Sequence, residues 1–283
     1  MRSINHPALT AGRAAVITGG ASGIGLAAAK RFAQAGMRIC LADVDEGLDR
    51  AAEEVRQAGA SDVMIRRLDI GDASEVIALS TAVFDRFGDV GILMNNAGTG
   101  GGGDAFSNPE GWVRVLRTNL HGVLNGVQAF APAMIASGRP GLIVNTGSKQ
   151  GITSPPGDTA YNVSKAAVKS LTEGLAHRLR NIPGCLISAH LLIPGFTYTG
   201  MIARHLPKKP AAAWTAEQVI EALLAGLVAG DFYILCADNE TPRELDVKRI
   251  LWSAGDIIEN RPALSRWHPD FKEAFEAFVS SPK

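Results

Sequence analysis

Cysteine is scarce and scattered. Cys40, Cys185 and Cys236 lie far apart inside apolar runs and form no C-x-x-C pair, which excludes a disulfide framework and fits buried free thiols in a reducing compartment. Charge of one sign is missing too, since 28 Lys and Arg balance 28 Asp and Glu. That leaves no long-range field to attract nucleic-acid phosphates or an anionic membrane surface, and no basic stripe stands out locally. No stretch approaches the roughly 18 consecutive apolar residues of a bilayer span. The opening MRSINHPALTAG lacks the apolar core of about 7 to 15 residues of a secretory leader. The expectation is a cytoplasmic protein with no nucleic-acid and no membrane partner. No histidine pair has metal spacing such as H-E-x-x-H; His121, His177 and His190 read as core or surface polar groups, and no metal is expected.

What is present is apolar mass and glycine: 46% of the 283 residues are hydrophobic and 31 are glycine, enough for a large core in one domain spanning 1–283. Short β-branched runs at 13–18, 37–43, 63–69, 90–95, 141–147, 185–193 and 232–236 alternate with longer segments of helical period. That alternation predicts an α/β protein, a doubly wound, Rossmann-like parallel sheet in three α/β/α layers. Right-handed crossovers predict the strand order 3-2-1 and then 4 onward, with a ligand crevice at the switch between strands 1 and 4. Val76, Ser80, Val83, Phe84 and Phe87 share one helical face, with Asp72 and Glu75 as a capping-box-like start and Gly88 after the end. Trp112 to Ala136 reads as one long buried helical segment. From near Asn239 a helical extension, 239–283, follows, with Val247, Ile250, Leu251, Ala254, Ile257 and Ile258 in helical period and a stripe of Phe271, Phe275 and Phe278. Both helices read as packing or subunit contact.

After the first strand comes Thr18-Gly19-Gly20-Ala21-Ser22-Gly23-Ile24-Gly25, running directly into a helical segment. Glycines at 19, 23 and 25 remove side chains where the backbone turns tightly and where a pyrophosphate would meet N–H groups at a helix start. A tight strand-to-helix connection is the plain alternative. Asp43 closes the second strand; a carboxylate there accepts from adenosine ribose hydroxyls and repels a 2′-phosphate, so NAD is preferred over NADP. Asp45 competes for that role, and the plain reading of either is a helix cap before Glu46.

Tyr161 and Lys165 form Y-x-x-x-K, a phenol and an ammonium one turn apart on one helical face. Ser148 directly follows an apolar strand, where strand ends open onto the crevice. Asn119 sits in the buried helical segment and needs polar partners there. A free phenol titrates near 10, so using it as a base at neutrality requires stabilising the phenolate by roughly 4 kcal/mol. Lys165 and a positive nicotinamide ring could supply that in a water-poor site.

Over about residues 12 to 236 the chain resembles the short-chain dehydrogenases/reductases. The matching elements are TGGASGIG (Thr18 to Gly25), Asp43, Leu68-Asp69-Ile70, NNAG (Asn95 to Gly98), N-L-H-G from Asn119, Ser148, YNVSK (Tyr161 to Lys165) and Pro194-Gly195. The resemblance implies an oxidoreductase interconverting a secondary alcohol and a ketone, as a homodimer or homotetramer. It implies that Tyr161 is the acid/base, Ser148 holds the reacting oxygen, Lys165 binds the nicotinamide ribose and Asn119 anchors a water in a proton relay. It further implies a cofactor set of Thr18, Gly19, Ser22, Gly23, Ile24 and Gly25 in the turn, with Asp43, Asp69 and Ile70 toward the adenosine. Asn95, Ala97 and Gly98 line the cofactor and support the sheet, Tyr161 and Lys165 meet the cofactor, and Pro194, Gly195, Thr197 and Thr199 border the carboxamide. The chain departs from the pattern at Gly147, where a second Ser is frequent, at Thr197, and after FYILC, where Ala-Asp-Asn-Glu replaces a Gly-Gly turn. That last departure puts the usual tetramer interface in doubt. A non-catalytic NAD-sensing or partner-binding protein and an epimerase or dehydratase are the competing readings.

Phe196 to Trp214 has the composition of a movable lid. Phe196, Tyr198, Met201 and Trp214 could wall an apolar substrate pocket, with Lys149 and Gln150 behind Ser148; the plain alternative has Lys149 and Lys208 pointing to water.

Overall fold

The computed structural model describes residues 6–203 and 206–281, the Met201 side chain aside. Seven parallel strands, β1 (Ala14–Thr18), β2 (Arg38–Asp43), β3 (Val63–Arg67), β4 (Val90–Asn95), β5 (Gly141–Thr146), β6 (Ile187–Ile193) and β7 (Tyr233–Leu235), make one sheet in the order β3-β2-β1-β4-β5-β6-β7. The predicted doubly wound topology and its switch point are therefore present.

Side-chain alternation explains why both faces are covered. In β1, Ala15 and Ile17 point into one apolar layer and Ala14 and Val16 into the other; in β2, Ile39 and Leu41 oppose Cys40 and Ala42 in the same way. The first layer is closed by α1 (Gly23–Gln34), α2 (Leu48–Gln57) and, later in the chain, a helix at Ala216–Ala229; the second by α3 (Ala73–Phe87) and the helices after β4 and β5. Cys40 and Cys236 are buried thiols, while Cys185 is only partly covered.

α3 carries its predicted face and ends at Gly88, whose φ of 71° suits the glycine. Its start is a one-way cap. The Asp72 carboxylate accepts from the Ser74 and Glu75 N–H groups, whereas Glu75 Oε2 accepts from Asp69 N (2.8 Å) rather than returning to Asp72.

The helical segment predicted over Trp112 to Ala136 is interrupted. α4 (Pro109–Leu116) leads into a π-helical turn at Arg117–His121 and then α5 (Gly122–Ala136), so the widened turn falls on Asn119. One extra residue in the helix rotates every later turn about the axis, a device that recurs at functional sites.

After β5 come α6 (Gln150–Thr153) and the long α7 (Thr159–Arg180); after β6 come α8 (Gly200–Ala203) and α9 (Ala216–Ala229). α9 opens with a complete capping box between Thr215 and Gln218. The extension folds as α10 (Arg243–Ile258) and α11 (Lys272–Ser280) joined by short 3-10 turns. Its phenylalanine stripe packs, as the plain reading had it: the Phe275 and Phe278 rings lie 5.4 and 5.3 Å from Trp252 of α10.

Candidate active site

The glycine-rich turn lies against the end of β4 with no room for side chains. A Cβ on Gly25 would meet Gly19 O at 2.1 Å, and one on Gly19, which has φ +66°, would meet Ala97 Cα at 2.7 Å. Ser22, the residue before α1, is exposed and makes no side-chain cap, and no acidic residue falls in the first helical turn. The positive end of α1 is thus left to whatever lies outside it. A dinucleotide fits this cradle on three counts: an uncapped helix start, a backbone stripped of Cβ atoms, and Thr199 from the far side of the crevice within 3.1 Å of a Cβ built on Gly23. Ile24 is half-buried beside them.

Several neighbouring residues are committed elsewhere. The Thr18 hydroxyl accepts from Asn96 N (3.0 Å) and Ala97 N (3.2 Å), so Thr18 ties β1 to β4 and does not face the crevice. The Asn95 side chain is 2% exposed and donates to Asn145 Oδ1 (2.8 Å), which continues to Thr172. This side chain braces the sheet, and strand alternation points it inward. Ile70 likewise packs its side chain into the core against Gly122. Thr197 is buried, its hydroxyl donating to Gly195 O (3.2 Å). In these four, burial of the side chain leaves the backbone as the part that could face a cofactor. Asn96, within NNAG but not singled out from the sequence, bridges instead, donating from Nδ2 to Thr18 O (3.2 Å) and Gly19 O (3.3 Å).

Asp43 and Asp45 divide as strand end and cap. The Asp43 carboxylate stands at the mouth of the turn, accepting from Ala21 N (2.9 Å) and Asp45 N (3.1 Å), while Asp45 accepts from Gly47 N (2.7 Å) just before α2. Asp69, just past the neighbouring β3, pairs with Arg117 (3.0 Å). Ala97 and Gly98 remain half-exposed on the crevice floor.

Tyr161, Lys165 and Ser148 converge across the crevice, where β5 hands over to α6 and α7 runs back. Tyr161 is half-buried. Burial raises its phenol above the ordinary range, an interaction with the Ser148 hydroxyl pulls it down, and the Asp158 charge raises it further. Lys165 is 4% exposed; its ammonium donates to Thr146 O (2.8 Å) and sits 5.7 Å from the Tyr161 ring centre. With no carboxylate paired to it among the described residues, burial pushes it down to about 8. Asn119 has the partners its burial demands: Oδ1 accepts from Thr99 N (2.8 Å), and Nδ2 donates to Thr99 O (2.9 Å) and Ser164 Oγ (2.9 Å). Ser164 in turn donates to Tyr161 O (2.7 Å), so the Asn119 side chain braces the tyrosine's helix.

Two further groups escaped the sequence reading. Asp158 caps α7, accepting from Tyr161 N (3.2 Å), and also receives Gly101 N (2.7 Å) and Gly102 N (3.3 Å), pinning the glycine run beside the tyrosine. Its place just before a helix start was a legible cap signal. The other is the surrounding of Lys149. This side chain does not simply point to water: it ion-pairs with Asp238 (3.2 Å) and Asp246 (2.6 Å). Lys208 is exposed, as the plain reading had it.

The lid is strapped at its ends. Trp214 N donates to Phe196 O (2.9 Å) and Tyr198 N to Trp214 O (2.8 Å). Tyr198 spends its hydroxyl on Leu206 O and Pro207 O (3.0 Å each), Trp214 packs on the core, Phe196 is exposed, and the Met201 side chain lies outside the described residues.

A family model described as short chain dehydrogenase matches residues 13–210. Putative oxidoreductase SadH of Mycobacterium tuberculosis is 39% identical over 174 residues, 59% of this chain; the chain spans 61% of that relative's length. The 1-deoxy-11-beta-hydroxypentalenate dehydrogenase of Streptomyces exfoliatus is 32% identical over 262 residues, covering 90% of this chain and 94% of the relative. Among solved structures, a short chain dehydrogenase/reductase from Burkholderia phymatum in complex with NAD superposes with TM-score 0.80 at 35% identity, over 89% of this chain and 96% of that one. A metagenomic short-chain oxidoreductase in complex with NADP gives 0.66 at 27% identity, over 81% and 98%. Motif order, sheet topology and these matches agree: the chain belongs to the short-chain dehydrogenase family.

Proposed function

We propose that this chain is an NAD-dependent oxidoreductase that interconverts a secondary alcohol and the corresponding ketone. The observation that carries the reading is the convergence of Ser148, Tyr161 and Lys165 at the strand ends, opposite a glycine-rich turn built for a dinucleotide. Gly19, Ser22, Gly23, Ile24 and Gly25 would hold the pyrophosphate, Asp43 and Asp69 the adenosine side, and Ala97, Gly98, Lys165 and the Pro194 to Thr199 segment the nicotinamide side. When bound, the nicotinamide supplies a hydride acceptor or donor carbon.

Ser148 orients the reacting oxygen and Tyr161 moves its proton. A phenol raised by burial is protonated at neutrality, the form that donates to a carbonyl. In the oxidising direction it must give up that proton first, and the charge of Lys165 at 5.7 Å favours the phenolate. Asn119 supports this chemistry through Ser164 rather than by touching substrate.

NAD is favoured because Asp43 brings a carboxylate to the turn and no Arg or Lys falls between Gly19 and Gly25 to meet a 2′-phosphate. Relatives named for hydroxylated substrates, such as 2-(R)-hydroxypropyl-CoM dehydrogenase of Xanthobacter autotrophicus, 33% identical over 230 residues, are in keeping with an alcohol as substrate. Assembly as a homodimer or homotetramer and a cytoplasmic setting belong to the same proposal; two of three thiols are buried and unpaired, and no helix among the described residues is long and apolar enough to cross a membrane. The test is a screen of cyclic, aromatic and sugar alcohols and ketones, followed by nicotinamide absorbance, with NAD and NADP in parallel. Turnover with NAD is expected. A chain that binds NADH but turns over nothing would be a sensor instead.

A further inference from the structure

Lys149 follows Ser148 directly, and its surroundings are unlike those of the other described lysines. Its backbone N–H donates to Pro194 O (3.2 Å), joining the end of β5 to the end of β6. Its ammonium is shared between Asp238, just past β7, and Asp246, on α10 of the extension, with the three side chains 16%, 9% and 6% exposed. The same Asp238 oxygen that meets Lys149 accepts from Phe196 N (3.4 Å). Gly195 lies so close that a Cβ there would meet both Asp238 Oδ2 and Lys149 Nζ at 2.8 Å. Arg249 and Arg266 complete the cluster, and with Ile152, Thr153, Leu235 and Ile250 they surround a small cavity of about 40 Å³.

Burying an ammonium and two carboxylates is costly. Leaving one unpaired costs more than replacing all of them with apolar groups, so such a cluster is a poor device for stability alone and a good one for fixing a geometry. What it fixes is specific. One cation holds the turn carrying Ser148 and the Pro194-Gly195-Phe196 turn on the nicotinamide side, and it is itself held from the C-terminal extension.

We propose that Lys149 is a positioning residue, clamped by Asp238 and Asp246, which locks the Ser148 turn against the Pro194 to Phe196 turn and so makes the C-terminal extension part of the active site. The inference rests on the role given to Ser148 above. Lys149 touches neither substrate nor cofactor; it acts through the two turns it joins.

Lys149→Met, Asp246→Asn and the double variant test it in the full chain. Lys149→Met should lower kcat per folded molecule by roughly ten- to hundredfold, the scale expected of a misplaced reacting group. NADH affinity, read by fluorescence titration, should fall by less than kcat does, because the glycine-rich turn is untouched and only the nicotinamide-side turn is loosened. Asp246→Asn should fall short of that loss, and the double variant should be no worse than Lys149→Met, since the two act as one unit. Hydrogen exchange should quicken in 147–153 and 194–198 while β1, β2 and β4 keep their protection. Unchanged kcat in well-folded Lys149→Met and Asp246→Asn, or unchanged exchange in those two segments, overturns the proposal; a cluster that merely stabilises would move only the melting temperature. Should Lys149→Met not fold, Asp246→Asn decides by the same readings. If the wild-type chain turns over nothing with NAD, the functional reading fails, and the exchange measurement still decides whether Lys149 locks the two turns.

Discussion

Where β1, β2 and β4 end, the crevice is made of backbone: glycines pressed within contact distance of Ala97 and Gly19 O, and hydroxyl and amide side chains that bond main-chain groups. Where β5, β6 and β7 end, it is backed by buried charge: Lys165 against a carbonyl, and behind it Lys149 against two carboxylates. The difference matches two tasks. A site that binds a phosphate needs N–H groups and empty space, which glycine supplies locally. A site that moves a proton needs charges held where water does not screen them, and only side chains brought from several elements can do that.

If this division is real, binding and turnover should separate by mutation. Tyr161→Phe keeps the ring and removes the proton carrier, so turnover should fall by roughly 10²- to 10⁴-fold, with NADH titrating as in the wild type. Comparable loss of NADH affinity would mean that the two sides are one.

Lys165 stands between them and tests the division from the stability side. Its ammonium, at about 8 instead of the usual 10.5, is less at home in the folded chain than in water. That difference is worth up to roughly 3 kcal/mol; orphaning the Thr146 carbonyl gives back about 1 kcal/mol. Lys165→Met should therefore be inactive yet more stable at neutral pH by about 2 kcal/mol, read from denaturant midpoints. The same shift sets how stability changes with pH. Between about 8 and 10.5 the unfolded chain holds a proton that the folded one has lost, so wild-type stability gains from this group as pH rises through that window. The variant should lose that rise.

Asp43→Asn addresses the binding side alone. Removing the carboxylate should narrow the preference for NAD over NADP by roughly tenfold, about 1.4 kcal/mol, through the affinity for NADP and with kcat on NAD little changed. A preference that stays put would shift the discrimination to other groups at the β2 end.

The same division explains what could be read from the sequence. The backbone side is written in contiguous strings: TGGASGIG needs no partner to be recognised, and short apolar runs alternating with helical segments predict a parallel sheet covered on both faces. Tyr161 and Lys165 were legible for the same reason, one turn of one helix. The clamp on Lys149 was not, because Asp238 and Asp246 lie some ninety residues away and nothing in their own neighbourhoods marks them. Local periodicity also could not foresee the π turn at Asn119, since one inserted residue changes no composition. The inward Asn95 and Thr18 were legible as motif members but not by direction: a motif names residues, while burial decides whether side chain or backbone faces the ligand.

Asp158 gives the finest test, because it is where the backbone device and the charge device meet. Its carboxylate caps α7 and collects two N–H groups of the glycine run, and its charge also raises the Tyr161 phenol. Asp158→Asn keeps a capping oxygen for Tyr161 N, removes the charge and gives up the oxygen that receives Gly101 N and Gly102 N. The phenol should titrate lower, and the acid limb of the kcat/KM profile for alcohol oxidation, which tracks the proton leaving Tyr161, should move to lower pH, with the plateau within about twofold of wild type. A limb moved to higher pH would mean that Asp158 acts on Tyr161 through the helix start and the glycine run rather than through its charge. The acid side of the crevice would then owe its tuning to backbone after all.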